Sequence, residues 1–205
     1  MRLLSTKRLL TLALLCLHSF AYAFTISNPK ADCNLDTAWM VPSATFSFGL
    51  NVDEDAGNPG LVYLAMVDPA QRNAYFFQDG NTWVKWDGGM LPMFSIERDG
   101  VESKQISVNL GRSYRAFAGF TLYVGYGLHH PEMEDVVQKR REGLNKAHEM
   151  FPQRSLYDPG DDYMRRALIE RELKDTQRYK AVMTIQCPNT GIGGVNGIVP
   201  FGGGY

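Results

Sequence analysis

Ala74-Tyr-Phe-Phe-Gln-Asp-Gly-Asn-Thr-Trp-Val-Lys-Trp86 reads as two short strands around a turn. Aromatic and β-branched residues fill both runs, and Asp79-Gly80-Asn81 between them supplies residues that tolerate the positive φ of tight hairpins. A two-residue turn at Asp79-Gly80 or Gly80-Asn81 sets Phe76 opposite Trp83, with Gln78 and Lys85 on the same face. Tyr75, Phe77, Val84 and Trp86 then fill the other face, which is the more apolar and is expected to be core. Phe76, Trp83 and Lys85 are left as a candidate binding surface, an aromatic pair on which a sugar ring stacks or a partner chain docks. The plainer alternative is that helices from elsewhere in the chain cover them.

The same signature recurs outward from this hairpin. Residues 44–50 alternate, with Phe46, Phe48 and Leu50 on one face and Thr45, Ser47 and Gly49 on the other, the period of a half-buried strand. Residues 61–67 are apolar on both faces and suit a central strand. Further strands are expected at 105–109, 120–124 and 179–186. About seven short strands between Gly, Pro, Asn and Asp clusters predict a mainly β fold, an immunoglobulin-like β-sandwich.

Charge is distributed unevenly. Of the 52 residues 127–178, 21 are Asp, Glu, Lys or Arg, against 19 of the other 130 that follow residue 23. This stretch predicts a two-helix hairpin inserted at 128–177, before the last strand. Pro131 at a first-turn position precedes Glu132, Glu134 and Asp135, while Lys146 and His148 sit near the far end, complementing the helix dipole. Asp158 as N-cap and Pro159 at N1 predict the second start, followed by Tyr163, Met164, Ala167 and Leu168 at helical spacing. Both helices are polar over most of their surface and are expected to lie against the β body rather than inside it.

The 205 residues carry a formal net charge of -1. That size suits one domain with its own core, and the near-neutral balance lacks the basic footprint of a nucleic-acid binder. Residues 1–23 read as a secretory signal peptide: Arg2, Lys7 and Arg8, an apolar run at 9–17, and Ala21-Tyr22-Ala23 as cleavage site. The apolar run is too short for the roughly 30 Å hydrocarbon core of a bilayer, so no transmembrane segment is expected after cleavage. Export leaves Cys33 and Cys187 as an even pair in an oxidising compartment, where a disulfide between them, within a domain of residues 24–187, is the expected state. Residues 188–205 are rich in glycine and read as a flexible tail.

Three stretches together carry a resemblance. Residues 53–60 leading into 61–67, Asn81-Thr-Trp-Val-Lys-Trp86 with its Trp-x-x-Trp spacing, and Leu122-Tyr-Val-Gly-Tyr-Gly127, closed by Arg178-Tyr-Lys, resemble a small uncharacterised domain of secreted proteobacterial proteins. That domain often accompanies surface, pilus-associated or adhesin-like modules. The resemblance implies a β-sandwich with a binding or structural role and carries no catalytic residues. The charged insertion departs from its pattern.

Sites of reactive chemistry are few. Asn51, Asp53 and Asp55 before Gly57 begin like a calcium loop, but Val62 stands where the bidentate glutamate belongs, and a solvated acidic turn is the better reading. His129 and His130, followed by Glu132, Glu134 and Asp135, are candidate metal ligands, although no H-E-x-x-H spacing accompanies them. There is no G-x-S-x-G elbow, and no motif calls for a cofactor. The expectation is an exported, non-enzymatic interaction or assembly module of the bacterial cell envelope, with an envelope or surface protein as partner. A carbohydrate-binding module built on Phe76 and Trp83 is the first alternative, and a metal-dependent enzyme built on His129 and His130 the second.

Overall fold

The computed structural model describes residues 24–36, 41–78, 82–111 and 114–186, and Asp79-Gly80-Asn81, the expected signal peptide at 1–23, Cys187 and the glycine-rich residues 188–205 lie outside that description. Among the described residues, β1 (Thr25–Asp36), β2 (Val41–Asn51) and β7 (Lys104–Gly111) form one sheet in the order β1-β2-β7. The second sheet runs β5 (Thr82–Lys85), β4 (Ala74–Gln78), β3 (Gly60–Val67), β8 (Thr121–Leu128), β9 (Tyr179–Thr184), and β6 (Ser95–Glu97) pairs with the start of β3. Every pairing is antiparallel.

Alternation sets which face each strand buries. On β2, Ala44, Phe46, Phe48 and Leu50 are buried, and across the ladder Phe46 meets Val108 and Phe48 meets Ile106. On the second sheet Val62, Leu64 and Met66 of β3 lie beside Tyr126, Val124 and Leu122 of β8. All of these belong to one core, so the two sheets face each other across it. Exposed Gln105, Ser107 and Asn109 alternate with the buried residues of β7, as a sheet with one wet face requires.

β3 is buried on both faces, as its unbroken apolar run foretells. Its outward residues Leu61, Tyr63 and Ala65 join Phe76, Leu91, Ile169 and Leu173 in a second cluster. This outer core exists because two long helices stand between β8 and β9: α2 (Pro131–Met150) and α3 (Asp161–Asp175), after a short helical turn, α1 (Tyr114–Phe117). α3 lies on β8 and α2 packs against α3. The expected mainly β fold with a helical pair before the last strand is therefore present.

Three local expectations are corrected. Gln78 pairs with Thr82, so three residues separate the hairpin strands instead of two, and Phe77 rather than Phe76 faces Trp83. A one-residue slip exchanges faces: Phe76 meets Val84 and turns outward, while Trp83 turns inward onto Phe77 with ring centroids 4.9 Å apart. Secondly, α3 begins at Asp161, not at Pro159. Gly160 takes φ 83, which breaks the helical path, and its N–H is held by the Asp158 carboxylate at 3.0 Å. Thirdly, β1 was not legible. It carries Asn28 at φ 47 beside Pro29, and its register shifts between Ser27 and Lys30, the bulge that lets proline sit in an edge strand.

Candidate functional site

The Gly125-Tyr126-Gly127 stretch explains how α3 reaches the sheet. Both glycines face outward beneath the helix. A Cβ on Gly127 would stand 2.4 Å from the Ile169 carbonyl oxygen, and one on Gly125 would stand 2.7 Å from the Arg178 carbonyl oxygen and 3.1 Å from Leu173 Cδ1. Only a residue without a side chain allows such an approach. Tyr126, between them, points the other way and is fully buried in the shared core, edge-on to Phe24.

The Tyr126 hydroxyl donates to Asp55 Oδ2 at 2.7 Å. Arg178 closes the arrangement: its Nε lies 3.1 Å from Asp55 Oδ2, and its Nη1 pairs with Glu172 Oε1. The Arg178 side chain is 3 % exposed and the two carboxylates 10 % and 9 %. Burial, and then the bond to Asp55, push the Tyr126 hydroxyl pKa well above its ordinary value. Asp55 comes from the turn after β2, Glu172 from α3 and Arg178 from the entry to β9, so one ion cluster clasps both sheets and the helix. The acidic turn at 53–55 is thus neither a calcium loop nor a solvated turn at Asp55, whose carboxylate is sequestered by Arg178.

Two further buried carboxylate contacts fix the flanks of α3. Glu172 Oε2 accepts the Leu128 N–H at 2.9 Å, and Glu170 Oε2 accepts the Leu91 N–H at 2.9 Å. Arg166 donates to the Leu91 carbonyl at 3.3 Å. Both side chains satisfy backbone groups that would otherwise be stranded beneath the helix.

Next to α3 on the outer face is a cleft of about 480 Å³. Tyr63, Ala65 and Val67 of β3 with Tyr123 of β8 make its floor, and Trp86 and Leu91 flank it opposite Leu173 and Lys174. Phe76 and Trp86 meet edge to face at 6.3 Å. Among the described lining residues Lys174 alone is charged, and its ammonium bonds Glu170 at 2.6 Å. Burial, followed by the charge of Glu170, raises the Tyr63 pKa well above normal, so that hydroxyl stays protonated. The described lining offers rings, hydroxyls and an ammonium paired with Glu170.

The helical arm offers a different surface. α2 buries Val137 alone, and it is joined by ion pairs to α3, Arg165 with Glu134 at 2.5 and 2.9 Å and Arg141 with Asp161, and to the segment before α3, Arg140 with Asp158 at 2.9 Å. The two bonds from Arg165 hold the Glu134 carboxyl below its usual range. At the turn between the helices Met150 is 66 %, Phe151 47 % and Tyr157 82 % exposed. Arg154 lies over the Phe151 ring at 5.1 Å.

The residues singled out from sequence are dispersed. Phe76 belongs to the outer cluster and lines the cleft, whereas Trp83 packs on the inner core with Phe77 and Phe117. They do not form one platform. Lys85 is exposed, opposite Tyr75. His129 approaches Glu134 at 3.6 Å and His130 approaches Glu172 at 3.7 Å, so the two imidazoles address different carboxylates. Among the described residues no three His, Cys, Asp or Glu side chains are grouped to hold a metal. Cys33 stands on β1 and packs against the shared core, and Cys187 falls beyond the described residues. Among those residues no helix is long and apolar enough to cross a membrane.

Sequence reasoning missed the ion clasp and the cleft. Asp55 and Arg178 are 123 positions apart, and no spacing rule joins them. The cleft had a signal: residues 61–67 are apolar on both faces, which demands a cover on each side of the sheet. No known protein family, curated protein or solved structure matches the chain.

Proposed function

We propose that the protein is an exported, non-enzymatic interaction module of the cell envelope, an immunoglobulin-like sandwich that presents its helical arm to a protein partner. The observation that carries this reading is the connection between the two helices of the arm. Met150 and Phe151 are exposed at the far end of α2, Tyr157 is exposed on the segment that returns to Asp158 beside Arg140, and the base of the hairpin is fixed by buried ion pairs. Single exposed apolar residues are ordinary, but three large ones along one connection of an otherwise charged arm mark a contact surface.

The strand order supports the immunoglobulin-like reading. The order β1-β2-β7 parallels strands A-B-E, and β5-β4-β3-β8-β9 parallels C″-C′-C-F-G of a variable-type domain. The arm then replaces the F–G connection, a loop that such domains commonly use for recognition. A Cys33–Cys187 disulfide fits the same picture. Lys180 Nζ donates to the Phe24 carbonyl oxygen, which ties β9 to the residue before β1. The leader at 1–23 and the resemblance to secreted, surface-associated domains support an envelope setting.

The test is capture from envelope extract by the wild type and by a Met150→Ser/Phe151→Ser/Tyr157→Ser variant. All three side chains are solvent-facing, so the fold is expected to survive. The variant should lose a partner that the wild type retains. Equal partner sets, or no partner for the wild type, contradict the proposal.

A further inference from the structure

The centre of the outer face of the second sheet is apolar, and α3 covers its β8 side at Gly125 and Gly127 but not the far end of β3. Ile169 rests on Gly127 and Leu173 on Gly125, and the helix ends at Asp175. Beyond it Ala65, Val67 and Tyr123 continue as the open floor of the cleft. We propose that this open part is a small-molecule site for an uncharged, ring-bearing ligand with a hydrogen-bond acceptor. The site is separate from the connection between the helices and does not depend on the role given to it.

Three features specify the ligand. The first is shape: about 480 Å³ lies within the range of small-molecule pockets. Ala65 forms a low point in the floor between Tyr63 and Val67 on its own strand and Phe76 and Tyr123 on the neighbouring ones. A flat ring set there meets aromatic side chains on several sides.

The second is an unmet donor. The Trp86 indole N–H is buried and finds no acceptor among the described residues. A buried donor left unpaired is costly, so an acceptor on the ligand would complete it.

The third is charge. Lys174 is neutralised by Glu170 and sits in the last turn of α3, where the helix dipole opposes an anion. A cation finds no carboxylate among the described lining residues. A neutral ligand remains. A monosaccharide, with a hydroxyl on nearly every ring carbon, needs more polar partners than Gln71 and the tyrosine hydroxyls supply.

The probe is 6-propionyl-2-dimethylaminonaphthalene, a neutral naphthalene with one ketone whose emission moves to the blue in apolar surroundings. Wild type should give a saturable blue shift with a Kd of about 200 μM or tighter. Ala65→Phe, which fills the floor, should weaken binding at least tenfold, roughly the effect of losing a few buried carbons' worth of contact. Ala65→Leu serves if that variant fails to fold. Trp86→Phe keeps the ring and removes the N–H, and should weaken binding about fivefold while moving the bound emission further to the blue. The anionic 1-anilinonaphthalene-8-sulfonate should bind about tenfold more weakly than the ketone or worse. Absence of saturable binding, unchanged affinity in the Ala65 variant, wild-type behaviour of Trp86→Phe, or equal affinity for the sulfonate overturns the proposal.

Discussion

Replacing Arg178 by methionine is the most informative single perturbation of this fold. The guanidinium is 3 % exposed and lies between carboxylates that are 10 % and 9 % exposed. Methionine preserves much of the apolar stem but leaves Asp55 and Glu172 facing each other's field without their guanidinium, with His130 at 3.7 Å as the remaining basic neighbour of Glu172. Breaking a buried pair in this way costs about 3–5 kcal/mol, a large share of the roughly 5–15 kcal/mol that holds a typical domain together. At about 2–4 °C per kcal/mol for a domain of this size, the melting temperature should fall by roughly 10 °C.

The cost comes from the stranded charges, not from the lost contact, and that distinction is testable. Arg178→Met/Asp55→Asn/Glu172→Gln removes the charges along with their counterion and should recover much of the loss, as apolar or neutral replacements of buried ion clusters do. Urea unfolding followed by tryptophan fluorescence gives both numbers. A single variant within about 1 kcal/mol of wild type, or a triple variant no more stable than the single one, would falsify the clasp as described.

Gly127→Ala should destabilise by about 1–3 kcal/mol, because its Cβ would meet the Ile169 carbonyl and α3 has to move off the sheet. Gly143→Ala is its control: nothing lies within 4 Å of that position on α2, so removing a helical glycine should add roughly 0.5–1 kcal/mol. Equal effects from the two alanines, read by thermal melting, would refute the close packing. The hairpin should also respond to acid. Arg165 depresses Glu134 below its ordinary 4.5, and the Gly160 N–H, then Arg140, depress Asp158 below 3.8. Depressed carboxylates help the folded arm above their unfolded values, and that help is lost as pH falls through the lowered ones. Carboxyl NMR shifts should show both groups protonating below 4.5 and 3.8, and Arg165→Gln should bring Glu134 back up; titration at or above those values contradicts the pairing.

Much of the β body is legible because one rule, alternation or an unbroken apolar run, governs it. The seven strands expected from sequence are all present, and 44–50 buries the face that its phenylalanines mark. β1 escapes because an edge strand with a proline and a bulge needs no apolar period. Instead, Ile26, Ala31 and Cys33 lean on a core built by others. The hairpin at 74–86 illustrates a second limit. Its strands are plain, but one extra turn residue flips the second strand against the first, sending Trp83 to the core and Trp86 to the outer face beside Phe76.

The candidate site was harder still, for a physical reason. The clasp joins Asp55, Tyr126, Glu172 and Arg178 through burial, and burial follows from the fold rather than from local pattern. In the sequence Asp55 is one acid in an acidic turn, and Arg178 one base at the end of a charged segment. The Gly-Tyr-Gly stretch carried the best available clue: two outward glycines flanking a large inward ring mark a strand pressed by something on its outer face. The helix was expected to lie against the body; that it would stop short and leave the cleft depends on its end at Asp175 against the longer floor of β3.

The central claim, that recognition takes place at the connection between the helices of the arm, is tested most directly by site-specific photocrosslinking in cells that make the protein. A benzophenone amino acid at Tyr157, which is 82 % exposed, is predicted to yield a discrete adduct with a partner protein. The same group at Gln105, exposed on β7, should yield none. No adduct from position 157, or the same adduct from both positions, would contradict the account.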